Sequence, residues 1–144
     1  MNLRHADLVE REMPPGFEHA RASVREALGG ELIGCSVYEI PARTRLWPYH
    51  YHVGNEAWLI VVTGKATLRA PDGERELVEG DVVAFPEGEA GAHQLANTTD
   101  APVRVAIFST LNRGSVVYPD SGKVGANFTY FRLADAVDYW DGEV

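Results

Sequence analysis

His50 and His52 stand two residues apart in the run Trp47-Pro48-Tyr49-His50-Tyr51-His52-Val53. An extended chain repeats every two residues, so both imidazoles point to one face and Tyr49 and Tyr51 to the other. Each ring brings two polar nitrogens, and a dry interior that leaves them unpartnered is costly. A shared metal ion satisfies one nitrogen of each ring. An outer, solvated face is the other solution open to the pair. His93 lies in a different extended run and is the third candidate. His5 and His19 fall in the N-terminal arm and helix, where a solvated surface role is expected.

Other side chains near the pair have plausible chemistry. Arg43 and Arg45 precede it, and two guanidinium groups there suit a carboxylate or phosphate of a ligand. The alternative is a pair of solvated charges at a strand edge. Trp47 and Tyr49 are candidates for an apolar pocket wall or a subunit contact. Trp58 is read as packing or dimer contact. Cys35 is the only cysteine. It closes no internal disulfide, excludes a cysteine-based zinc cluster and reads as a small buried hydrophobe.

These residues need elements to hold them. The chain has 144 residues, 45% hydrophobic and 24% charged, the size and balance of one globular domain. The sequence predicts an extended arm over 1–17, broken by Met13-Pro14-Pro15-Gly16, and a helix over 19–28 that stops at Gly29-Gly30. Residues 1–30 are expected to pack on a barrel formed by 31–144, giving a single domain overall. From Glu31 onward, short runs rich in Val, Ile, Thr, Tyr and Phe alternate with turn residues. They predict strands over 31–40, 49–52, 57–62, 65–70, 75–78, 81–85, 93–97 and 103–111. Pro71-Asp72-Gly73 predicts a hairpin between two of them. Past Asn112 the pattern weakens: a loop is expected over 118–123, a strand over 127–133 and another over 136–140. Many short strands at this spacing argue for an all-β sandwich, jelly roll or barrel.

Two blocks of sequence sharpen that expectation. The first is His50-Tyr51-His52-Val53-Gly54-Asn55-Glu56, followed by AWLIVVT and Gly64. The second is Gly80-DVVAF-Pro86-Glu87-Gly88-EAGA-His93-QLA-Asn97. Together they resemble the two motifs of the cupin superfamily, G(x)5HxH(x)3–4E(x)6G and G(x)5PxG(x)2H(x)3N. The resemblance is close from Ile40 to Ser109 and extends to the tail around 138–142. It implies a double-stranded β-helix, a jelly-roll barrel with a pocket at one mouth. It also implies that His50, His52 and His93 ligate a divalent transition metal. Imidazoles with a carboxylate suit Fe, Mn, Ni, Cu or Zn alike, so the ion is not chosen by ligand type.

The chain departs from the motifs at three places. Thr44 replaces the opening glycine. The motif glutamate is ambiguous: counting from His52 gives Glu56, and counting back from Gly64 gives Ala57. A regular strand puts Ala57, Leu59 and Val61 in the pocket and Glu56 outside, leaving a three-histidine site. A bulge or the turn at Gly54 could instead rotate Glu56 inward as a fourth ligand. Last, four residues separate Gly88 from His93 where the motif has two; the EAGA insertion is expected to reshape the pocket rim, with Glu89 a further candidate near the metal.

The functional expectation is a metal-binding protein that acts on or binds a small organic molecule; if it is an enzyme, it is a metal-dependent dioxygenase or isomerase. The alternative is a metal-free binding or sensing module. The formal net charge of -8 disfavours nucleic acid as a partner. The longest apolar run, Ala57–Val62, is far shorter than the roughly 20 residues of a membrane span. No secretory signal is read in the N-terminal residues, so a cytoplasmic location is expected. Exposed sheet edges, the arm and the Tyr139-Trp140 tail predict a homodimer.

Overall fold

The computed structural model describes residues 1–112 and 114–143. In chain order its strands are β1 (Val9–Glu10), β2 (Ala20–Ser23), β3 (Ile33–Ile40), β4 (Arg45–Val53), β5 (Ala57–Thr63), β6 (Lys65–Ala70), β7 (Gly73–Val78), β8 (Val82–Phe85), β9 (His93–Ala96), β10 (Val103–Thr110), β11 (Ser115–Tyr118), β12 (Lys123–Ala126) and β13 (Thr129–Arg132). Among the described residues one α-helix, α1 (Val24–Leu28), interrupts them, with four single 3-10 turns. They form two antiparallel sheets. The first has the order β1-β2-β3-β10-β5-β8, the second β13-β12-β11-β4-β9-β6-β7. The chain passes back and forth between the sheets, the winding expected of a jelly-roll barrel.

Burial follows the period of two. Along β5, Ala57, Leu59 and Val61 are buried while Trp58 is exposed. They join Ile40, Leu46, Leu68, Leu95, Val103 and Val105 in one apolar cluster between the sheets. Each fully buried aliphatic chain contributes roughly 1.5–3 kcal/mol over leaving it in water. A second cluster, Val24, Cys35, Val37, Val62 and Ala106, lies on the other face of the first sheet. Leu3 and Leu8 of the arm pack against it.

The N-terminal region differs from expectation. Residues 20–23 form β2, paired with β3 through Ala20↔Glu39 to Ser23↔Ser36, so only five residues remain helical. Ser23 caps α1 by accepting from the Glu26 amide, and Gly29 closes it at φ 70. The pairing partner, unseen in local sequence, outweighs the helix propensity of 19–23. His19 is correspondingly buried, at 5% exposure, against the Tyr38 and Trp47 rings. Beyond residue 112, β11 and β12 are strands that were not expected, and the loop expected over 118–123 is the turn that joins them. The run 136–140 is not a strand.

Candidate functional site

The second sheet presents the histidines. β4 and β9 are antiparallel neighbours, with Leu46 opposite Leu95 and His50 opposite His93. Four steps along β4 thus face two along β9, so an irregularity adds two residues to β4. An even insertion preserves which face each residue takes: Leu46 and His50 are both buried. Within the irregularity Trp47 adopts φ 59, a left-handed conformation rare outside glycine. Trp47 packs inward against the core cluster, its ring 4.9 Å from Tyr38 and 6.0 Å from His50.

All three candidate rings line one cavity of about 600 Å³ between the sheets. His50 is the middle ring, 4.5 Å from His93 and 5.0 Å from His52 by centroid. His93 also stacks on Phe85, at 3.7 Å with the planes 7° apart. Nδ1 of His50 lies 2.8 Å from the Pro48 carbonyl, and Nδ1 of His93 lies 2.8 Å from the Gly91 carbonyl. A carbonyl only accepts, so Nδ1 carries the proton in both rings and Nε2 keeps a lone pair. Burial lowers His50 to about 4; burial, then the charge of His50, lowers His93 to about 3. Burial lowers His52 as well. The cluster is therefore neutral near pH 7, the state in which imidazole donates to a metal.

The loop of the second block is tied to the strand of the first. The Gly88 amide donates to the His52 carbonyl at 2.7 Å, and the Gly54 amide to Glu87 Oε2 at 3.0 Å. The EAGA insertion makes a single 3-10 turn, Glu89–Gly91, whose last carbonyl holds His93. Glu89 is exposed and does not line the cavity. Asn97 is buried and donates to the carbonyls of Ile40, Pro41 and Ala101, so it organises backbone.

Other sequence candidates go elsewhere. Glu56 is exposed, and its Oε1 accepts from the Trp58 indole at 3.0 Å on the outside of the barrel. No bulge turns it inward, and Ala57 takes the wall position. Arg43 is exposed and engages Asp100 and the Thr98 carbonyl. Arg45 lines a separate groove on the outer face of the second sheet, with Tyr49, Arg69 and Asp120. Strand parity explains it: Arg45 is one residue from the inward Leu46. Of the three candidate ligand-binding residues, only Trp47 reaches the histidine cavity.

The cavity has cationic residues that sequence reasoning missed. Arg21 and Arg25, from β2 and α1, line its rim. Assigning 1–30 to an arm and helix hid them, because only the β2–β3 register turns Arg21 inward. Tyr118 and Tyr130 lie on the opposite side. Burial, then the neighbouring Tyr130, pushes Tyr118 up to about 12, so its phenol stays protonated. Among the described residues, no three His, Cys, Asp or Glu side chains stand in the arrangement of a metal ligand set. The donor chemistry of the three imidazoles fits a transition metal, and His52 is the least buried of the three.

Comparison with known proteins gives the same architecture. A family model described as the cupin domain matches residues 36–119. Comparison with curated proteins finds no match. Among solved structures, a protein from Acidithiobacillus ferrooxidans named as a candidate sugar phosphate isomerase superposes with a TM-score of 0.83. It is 22% identical, over 94% of this chain and 90% of that one. A sugar phosphate isomerase of the cupin superfamily from Silicibacter pomeroyi gives 0.80 at 21% identity, over 98% and 97%. The polyketide cyclase RemF from Streptomyces resistomycificus gives 0.66 at 18%, over 81% of each chain. At these identities the likeness is one of fold.

Proposed function

The chain belongs to the cupin domain family, and we propose that its cavity binds a small organic molecule beside a divalent transition metal held by His50, His52 and His93. One observation carries this reading. Two of the three rings have Nδ1 fixed on a backbone carbonyl, leaving neutral Nε2 lone pairs inside the same cavity. That is how metal-ligating histidines are oriented by their surroundings. With Glu56 outside, three neutral imidazoles would hold the ion, which would supply Lewis acidity toward a ligand oxygen. The chain's own residues supply the rest. Trp47 and Ile107 make an apolar wall, and Tyr118 offers a protonated phenol with its ring 5.9 Å from His50.

A second reading is a metal-free binding module. It is favoured by the side-chain positions, which bring no three donors among the described residues into a ligand set.

Metal analysis of untagged protein separates the two readings. After supplementation with iron, manganese, nickel and zinc, about one ion per chain is expected. His50→Ala and His93→Ala lose it, and Glu56→Gln keeps it. Wild-type protein that remains free of metal establishes the second reading instead.

A further inference from the structure

We infer that the ligand of this cavity is an organic oxyanion, a carboxylate or phosphate, and that Arg21 is the side chain that receives it. This rests on the cavity being the ligand site proposed above, but not on the metal.

Arg21 is half-buried, lines the cavity, and stands in the β2–β3 register opposite Tyr38. Its Nε and Nη2 both donate to one neutral oxygen, Ser36 Oγ, at 3.0 and 2.8 Å. Among the described residues, no carboxylate lies within ion-pair distance of it. Arg104, the other half-buried arginine on this sheet, shows what such a cation otherwise requires: Glu39 Oε2 at 2.7 Å. A half-buried guanidinium without an acid is incompletely compensated, and its flat fork of donors matches a carboxylate or phosphate.

The charge of the cavity points the same way. The chain carries -8 overall, yet among the described residues the charged side chains lining the cavity are Arg21, Arg25 and Glu26. Two cations against one anion make a locally positive mouth on an acidic protein. The wall from Arg21 to the histidines is continuous: the guanidinium lies 5.9 Å from the Tyr38 ring, Tyr38 packs on Trp47, and Trp47 packs on His50. An oxyanion on Arg21 would therefore leave the rest of the molecule along the aromatic wall that ends at the imidazoles. Ser36 holds the guanidinium in place without neutralising it.

Equilibrium binding tests the assignment on the full chain, in chelator-treated and metal-supplemented protein, with glucose, gluconate and glucose 6-phosphate as probes. Titration calorimetry reads affinity. At least one anion is expected to bind tenfold or more tightly than glucose. Arg21→Gln should abolish that preference, Arg21→Lys should retain part of it, and Arg43→Gln should leave it unchanged. The tighter of the two anions identifies carboxylate or phosphate as the ligand group. Metal content is measured on the same samples: Arg21→Gln should keep the metal of wild type, so failure of the metal reading and failure of the anion reading are seen separately. If glucose binds as well as both anions, if neither anion binds, or if Arg21→Gln retains the preference while folding normally by thermal melting, the assignment is overturned.

Discussion

His50 and His93 carry an energetic cost that depends on pH. In an unfolded chain an imidazole titrates near 6.5. In the folded protein burial lowers His50 to about 4 and His93 to about 3. Between those values the unfolded state binds more protons than the folded one, so stability rises with pH there. The contribution is complete above about 6.5 and is lost as pH falls toward 3. Each ring accounts for a few kcal/mol, because a tenfold difference in proton affinity between the two states is worth about 1.4 kcal/mol. For chelator-treated protein, the melting temperature is expected to fall steadily from pH 6.5 to 4. His93→Phe, which retains a flat ring against Phe85, should shrink that fall by a third or more. An unchanged pH dependence in this variant would place the titration elsewhere. That His50 and His52 share a face was readable from spacing, since the period is two, and His93 was joined to them by the resemblance to the cupin motifs. The fates of Glu56 and Arg45 followed from the same parity once Ala57 and Leu46 were known to point inward. Arg21 was not readable, because its orientation depends on pairing with β3, across a break in the pattern.

At the scale of elements, the EAGA insertion is a structural part of the site. Its 3-10 turn ends at Gly91, whose carbonyl fixes the tautomer of His93. Gly91 is buried, and a Cβ there would stand 1.8 Å from the Pro86 carbonyl oxygen. Backbone cannot yield that much room locally, so the turn must shift and carry the carbonyl with it. Gly91→Ala should destabilise the protein by about 2–4 kcal/mol. It should also weaken metal binding, whereas Glu89→Ala, which trims an exposed side chain of the same turn, should leave both properties as in wild type. Chemical denaturation and metal titration read the two effects, and a Gly91→Ala protein of wild-type stability would contradict the packing argument. Most of the barrel was legible: β6 has the expected bounds, and β3, β5, β8, β9 and β10 differ from expectation by a residue or two. What escaped was non-local. The left-handed Trp47 and the two-residue irregularity in β4 leave no alternation signal, because an even insertion restores the parity on its far side. β11 and β12 are short strands completed by pairing with β4 and with each other.

At the scale of the whole molecule, one edge of the second sheet exposes apolar side chains. β13 is its edge strand and all four residues are exposed. Tyr130 and Phe131 are each 56% exposed, and beyond them Tyr139 and Trp140 form an edge-to-face pair in the tail. The turn before β13 is unusual. Asn127 and Phe128 take φ 49 and 61, a left-handed pair that favours Asn or Asp followed by Gly. Phe128 instead places a fully exposed aromatic ring in a strained position. A glycine there would relieve the turn, stabilising an isolated chain by up to about 1 kcal/mol. We therefore expect the ring to serve association of two copies through this edge, consistent with the homodimer anticipated from the sequence. With a net charge of -8 the copies repel, so the dimer should strengthen with salt as screening rises. Sedimentation of wild type at micromolar concentration should give a dimer. Phe128→Gly should shift it toward monomer while raising the melting temperature measured at high dilution. The two effects have opposite signs, so simple unfolding cannot mimic them. A wild-type monomer at these concentrations, at low and high salt alike, would assign the exposed ring no part in association.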